Sequence, residues 1–318
     1  MTRFLAERVI QGLIVLLAMS FVIYMLIGLM PGDPIDIMLS GDPNMTAADA
    51  ARLRKLYGLD RPLVERYLTW LADAVQGDFG YSRLHQKPVL DILLPRLANT
   101  ARLVLLALSI SICIAVPAGV FAARRPRSFV DQAINLACFA GISLPSFWLA
   151  LVLIIIFAVI LGILPASGMG DPTGAGGIID KLRHLVLPVA TLGLLNIAAV
   201  TRYTRSSMIE VMREDYIRTA RAKGAAEHRV VWRHALKNAF IPVVTVMALE
   251  FGTLFSGALV TETMFAYLGM GKLIYDSILG NDFNVALIGL LFACLMVMVA
   301  NFAADLAYAA LDPRISYR

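Results

Sequence analysis

Residues 202–239 read RYTRSSMIEVMREDYIRTARAKGAAEHRVVWRHALKNA. Nine Lys or Arg and four Asp or Glu crowd into this stretch, and apolar sequence long enough to cross a bilayer lies on either side of it. It reads as a short, basic, helical handle standing out of a membrane. Met208, Met212, Tyr216 and Ala220 recur at i+4 while Arg213, Arg218 and Arg221 fall on other faces, a pattern that predicts one amphipathic helix over residues 206–223. Gly224 permits the left-handed backbone that ends such a helix. Val230, Val231 and Leu236 then mark a second helix over 226–238. On spacing alone two readings stand: an element that inserts into a groove on a partner and carries its motion, or a basic loop resting on anionic headgroups.

The rest of the chain agrees with a bilayer. It is 59% hydrophobic and 16% charged with a mean hydropathy of +0.74, whereas soluble domains run at about half apolar and about a quarter charged. Six runs are apolar over roughly the 20 residues a spanning helix needs: 9–30, 98–123, 133–161, 185–201, 240–261 and 285–310. The expectation is an all-α membrane protein of six transmembrane helices in one domain, 1–318, with an apolar first run too long for a cleaved leader. Lys and Arg in short loops accumulate on the cytoplasmic face. Arg3 with Arg8, Arg124-Arg125 with Arg127, the 202–239 stretch, and Arg314 with Arg318 all fall on one side of this alternation, which puts both termini and the handle in the cytoplasm. The external loop 31–97 holds nine acidic against eight basic residues. The net charge of +5 thus follows from topology, and nucleic acid is not expected as a partner.

Within that external loop Thr46 is a candidate N-cap, and Leu53, Leu56, then Leu63, Tyr67, Leu68 and Leu71 recur at helical spacing around the break Gly58-Leu59-Asp60-Arg61-Pro62. Two short amphipathic helices are predicted, read either as a packed cap or as a surface that meets substrate. Pro117, Pro145, Pro188 and Pro242 fall inside apolar runs, where each removes a backbone donor and bends its helix. Glu250 sits mid-span, where a charged acid carries a penalty of at least about 2.5 kcal/mol on insertion scales. It either faces a path through the membrane or is a structural carboxyl.

Enzymatic chemistry finds no support in the motifs. The nearest approach to a phosphate loop, Gly269-Met270-Gly271-Lys272-Leu273, lacks the spacing and the hydroxyl. His85, His184, His228 and His234 do not pair at metal-ligand spacing, and there is no Gly-x-Ser-x-Gly elbow. Cys113, Cys138 and Cys294 lie inside apolar runs and read as packing residues. The expectation is a conduit without catalytic residues, metal or cofactor.

The handle also resembles the coupling loop of ABC importer permeases, Glu-Ala-Ala, three residues, Gly, nine residues, Ile-x-Leu-Pro: Ala220, Gly224 and Leu236 match, while Arg218-Thr219, His234 and Lys237 stand at the other positions. Those deviations, together with Met30-Pro31-Gly32-Asp33-Pro34, Gly77-Asp78-Phe79-Gly80, Ser143-Leu144-Pro145-Ser146-Phe147, Leu164-Pro165 and Leu311-Asp312-Pro313-Arg314-Ile315, resemble the dipeptide, oligopeptide and nickel branch. In the loop after the fifth run, Glu262, Phe265, Gly269 and Gly271 fit that branch, whereas Leu268 stands where it has Pro, Met270 where it has Leu, and Asn284 replaces another Pro. The resemblance implies a type I importer permease fold in a bacterial inner membrane, pairing with a second permease subunit, two cytoplasmic ATPases and a periplasmic binding protein. Its cargo would be di- or oligopeptides, or else nickel chelates, glutathione or another small solute. The residues implied to meet the ATPase are Tyr216, Thr219, Ala220, Arg221, Lys223, Gly224, Ala225 and Glu227; those implied for the substrate path are Pro145, Glu250, Phe251 and Glu262.

Overall fold

The computed structural model describes residues 2–29, 46–56, 58–171, 173 and 175–311, with some side chains inside helices, that of Glu250 among them, outside this description. Among the described residues the elements are helices, in the order α1 Thr2–Gly28, α2 Ala47–Leu56, α3 Leu63–Val75, α4 Val89–Arg124, α5 Phe129–Ser143, α6 Ser146–Leu153, α7 Gly177–Val211, α8 Asp215–Ala222, α9 Glu227–Arg229, α10 Leu236–Met264, α11 Met270–Leu279 and α12 Phe283–Leu311. Turns of π-helix extend α6 over Ile154–Ile160 and join α9 to α10 over Val230–Ala235.

Among the described residues, four helices are long and apolar enough to cross a membrane: Ala6–Gly28, Val89–Arg124, Gly177–Val211 and Phe283–Ala303. The expected run 133–161 is instead two helices, Phe129–Ser143 and Ser146–Ile160, which meet at 104° and are apolar enough together. Pro145 causes the break. It lacks an N–H and forces the preceding residue out of the helical region, and Leu144 accordingly takes ψ 126°. Pro188 and Pro242 lie inside unbroken helices. The second and fourth runs, read as 98–123 and 185–201, extend to Val89–Arg124 and Gly177–Val211, because the helix continues beyond the apolar stretch in each case.

The chain divides into two compact units. One comprises Ala98–Lys272 and, of the last residues, 296–311; the other comprises Thr2–Leu97 and Leu273–Leu295. In the first unit α7 is the organising helix. Gly119 on α4 allows a close approach, since a Cβ there would fall 2.7 Å from the Thr204 side chain and 2.8 Å from the Thr201 carbonyl of α7. Ala115, Val116, Val200 and Val243 pack into one buried cluster, and Ala150, Leu187 and Phe265 into another.

In the second unit Ile23, Val89, Leu93, Leu273, Val285 and Ile288 form the core. The two short helices expected around the Gly58–Pro62 break are present. Thr46 caps α2 reciprocally, its Oγ1 accepting the Asp49 amide at 3.2 Å while Asp49 Oδ2 accepts the Thr46 amide at 3.1 Å. Gly58 takes φ +65° at the break. Tyr67 of α3 is buried, with its hydroxyl 2.9 Å from Ser20 Oγ and its ring edge-on to Phe21 at 5.2 Å, so this helix is a packed cap on α1. Ser82 donates to the buried Asp282 at 2.5 Å, which also accepts the Leu84 amide at 3.1 Å. Asn284 earns its place where the resemblance has Pro: its amide donates to the Tyr81 carbonyl at 3.0 Å.

Candidate coupling surface and outer loop

The single helix expected over 206–223 is broken. Helix α7 ends at Val211, the amides of Arg213 and Glu214 fold back to the carbonyls of Glu210 and Val211 at 3.1 Å each, and Glu214, extended at ψ 150°, starts α8 afresh. The reason lies in what α8 buries. Ile217 is fully enclosed in a cluster with Val120, Ala123, Met208, Val230, Val231, Ala235 and Ala239, and Ala220, Met212 and Trp232 pack around it. The i+4 stripe read from the sequence is therefore split, since Met208 is buried but Tyr216 is 42% exposed. Re-starting the helix turns Ile217 inward and leaves Tyr216, Arg218 and Thr219 outward.

Gly224 behaves as expected. Its φ is +76°, and the Ala225 amide reaches the Ala220 carbonyl at 3.2 Å while the Gly224 amide reaches Arg221 at 2.9 Å, the paired bonds by which a left-handed residue closes a helix end. A Cβ at this position would meet nothing within 4 Å, so only the backbone conformation demands glycine. Across the turn, Arg221 donates to both carboxylate oxygens of Glu227, at 2.9 and 3.1 Å. That hydrogen bonding holds the Glu227 carboxyl below its ordinary pKa. Thr219, Arg221, Lys223, Gly224 and Glu227 are exposed beside Tyr216, and Ala220 and Ala225 are half-buried beneath them. The second helix, expected over 226–238, does not stop there. It runs through the π turns at Val230–Ala235 straight into α10, and Ser207 ties it to α7 through the Ala239 carbonyl at 2.9 Å.

The loop after α10 is built around Glu262. This residue is fully buried; its carboxylate accepts the Thr100 hydroxyl at 2.5 Å and the Lys272 amide at 3.0 Å, and Thr100 in turn accepts the Met270 amide at 2.8 Å. Gly269 is required sterically, because a Cβ there would lie 2.0 Å from Glu262 Oε1. Leu268 uses the amide a proline would lack, directed to Met169 Sδ at 3.3 Å, while its carbonyl accepts Asn99 at 2.9 Å. Tyr267 donates to the Asn99 carbonyl at 3.2 Å; burial, reinforced by the nearby Glu262 charge, pushes its phenol up to about 12.

Of the four positions expected on the path, three lie on α10 and one at the bend before α6. Pro145 is exposed at the bend between α5 and α6, Phe251 is half-buried in the middle of α10, and Glu262 closes the last turns of α10. The Glu250 side chain lies outside the described residues. Two further polar residues were not singled out from sequence. Arg205 of α7 grips Asp131 of α5 with Nε to Oδ1 at 2.5 Å and Nη2 to Oδ2 at 2.8 Å. The only local signal was Ser128 three residues before Asp131, the spacing of a helix N-cap, which Ser128 indeed forms.

Comparison with known proteins gives a consistent result. The family profile described as binding-protein-dependent transport system inner membrane component matches residues 115–317, and its N-terminal counterpart matches 1–104. The chain is 38% identical over 318 residues, all of both chains, to the oligopeptide transport system permease protein AppB of Bacillus subtilis (strain 168). It is 38% identical to the di/tripeptide transport system permease protein DppB of Pseudomonas aeruginosa (strain UCBPP-PA14) and 35% identical to the dipeptide transport system permease protein DppB of Escherichia coli (strain K12), each covered in full. Among solved structures, an inward-facing form of the MetNI methionine ABC transporter aligns with a TM-score of 0.58 at 19% identity, over 70% of this chain and 97% of that one, which is a likeness of fold.

Proposed function

This chain belongs to the binding-protein-dependent transport system inner membrane component family, and from that premise we propose that it forms, with a second permease subunit, the path by which an ATP-driven importer moves di- or oligopeptides delivered by a periplasmic binding protein. Such a permease is a non-catalytic, channel-forming subunit of a multi-pass membrane complex. Peptides are the proposed cargo because the relatives matched end to end are named as oligopeptide, dipeptide and di/tripeptide permeases. Importers of nickel chelates, glutathione or another small solute remain the alternative within the same machinery. The six-span, type I arrangement, the inner-membrane location, the cytoplasmic termini and the external position of 31–97 belong to the same proposal, supported by the alternation of basic and neutral loops.

One observation carries the coupling role: a short helix anchored inward by Ile217 and closed by Gly224, with Tyr216, Thr219, Arg221, Lys223 and Glu227 facing outward. An element fixed to the ends of three long helices and exposed on its far side suits docking into a partner's groove. Pro145, Glu250 and Phe251 are the proposed path positions, and Glu262 acts on the path through the loop that it holds. The test is Gly224→Val. A β-branched residue is strained at positive φ by about 1–2 kcal/mol or more, so the variant should insert normally and pair with the second permease while the ATPases dissociate or hydrolyse ATP without uptake. Wild-type ATPase co-purification and uptake in that variant would remove the coupling assignment. Uptake by the reconstituted complex of labelled di- and tripeptides against nickel chelates and glutathione decides the cargo.

A further inference from the structure

Helix α5 is fastened to α7 at two separated points. At its start, the 3% exposed Asp131 carboxylate receives Arg205 in a two-pronged ion pair. The Arg127 amide adds a bond at 2.8 Å, delivered from a residue at φ +66°, and the Asn135 side chain adds another at 2.7 Å. Four hydrogen bonds thus converge on that carboxylate and satisfy its buried charge. Near its end, Gly141 brings the α5 backbone onto α7, where an added Cβ would lie 3.2 Å from Ala198 Cβ. Three residues beyond Gly141 the chain reaches Leu144-Pro145 and turns through 104°.

The other end of the connection is the handle. Arg205 lies three residues before Met208, which is fully buried against Ile217, Val230 and Val231, and Ser207 bonds the root of the returning helix. We infer that Asp131 and Arg205 are positioning residues for transport: they lock α5 to α7 so that a displacement of the handle reaches the Pro145 bend as a rigid-body movement. This rests on the importer reading above. Neither residue touches cargo or partner in this role; each acts through the helix it holds.

The experiment uses the full complex of this chain, second permease, ATPases and binding protein in proteoliposomes, reading peptide taken up per ATP hydrolysed. Asp131→Asn removes the charge at constant size, Arg205→Met keeps an apolar stem, and Arg205→Lys keeps the charge without the fork geometry. Hydrolysis should continue in the first two while uptake per ATP falls about tenfold, within the range by which residues along a coupling route change it. Arg205→Lys should fall between them and wild type. An unchanged ratio in assembled Asp131→Asn and Arg205→Met overturns the inference. Failure of all three variants to assemble does so too, because the pair would then be a folding element. Absence of transport by the wild-type complex is a different outcome, and it removes the importer reading instead.

Discussion

Glu262 shows how one side chain sets the shape of a loop. Two donors, the Thr100 hydroxyl and the Lys272 amide, point at its two carboxylate oxygens, and Gly269 leaves the space in which that carboxylate sits. In Glu262→Gln one of those oxygens becomes an NH₂ that faces a donor. A buried donor left without an acceptor costs about 1–3 kcal/mol, so the purified complex in detergent should unfold at lower temperature. Uptake should fall with it as the 265–271 loop loosens. Gly269→Ala removes the same space from the other side and should match Glu262→Gln in both readings. Wild-type thermal stability in Glu262→Gln would show that the carboxylate does not organise the loop. The family resemblance marked Glu262 and the glycines, but not Thr100, which lies 162 positions away and offers nothing local to read.

At the scale of elements, α8 sets a buried anchor and an exposed ring on adjacent residues. Ile217 is fully buried, and Tyr216 is 42% exposed. Truncating a buried Ile to Ala costs about 2–5 kcal/mol where the site cannot collapse, which exceeds what a helix of eight residues holds by itself. Ile217→Ala should therefore release α8, seen as faster amide exchange over 215–225 and loss of the ATPases on purification. Tyr216→Ala should leave exchange unchanged yet weaken ATPase retention, because its ring is exposed and, on the coupling role proposed above, faces the partner and not the core. Equal effects of the two variants on exchange would contradict this division. The sequence displayed the helix-ending role of Gly224 and the N-cap at Thr46 because both are local features of the chain. It hid the break at Met212-Arg213-Glu214, which contains neither Gly nor Pro and continues an i+4 pattern; burial of Ile217 decides that break, and burial is a property of the packed unit. The Asp131–Arg205 pair, 74 positions apart, was hidden for the same reason.

For the whole molecule, the bent pair decides the topology by parity. Four long apolar helices are joined by α10, whose 29 residues extend about 43 Å at 1.5 Å per residue and exceed the roughly 30 Å of hydrocarbon. If Phe129–Ser143 and Ser146–Ile160 together cross the membrane, the count is six and both termini share a face, in agreement with the four basic clusters. If the 104° bend instead returns the chain to the side it entered from, the count is five. Residues 162–176 would then lie on the cytoplasmic side and the handle outside, where its nine Lys and Arg would oppose the charge rule. Single cysteines introduced at Thr46, Ala175 and Ala226, in a background carrying Cys113→Ala, Cys138→Ala and Cys294→Ala, separate the two arrangements. A membrane-impermeant thiol reagent applied to spheroplasts should label positions 46 and 175 and spare 226 until the membrane is permeabilised. Labelling of 226 with protection of 175 would make the bent pair re-entrant, and would place the Gly224 turn on the face where no ATPase can reach it.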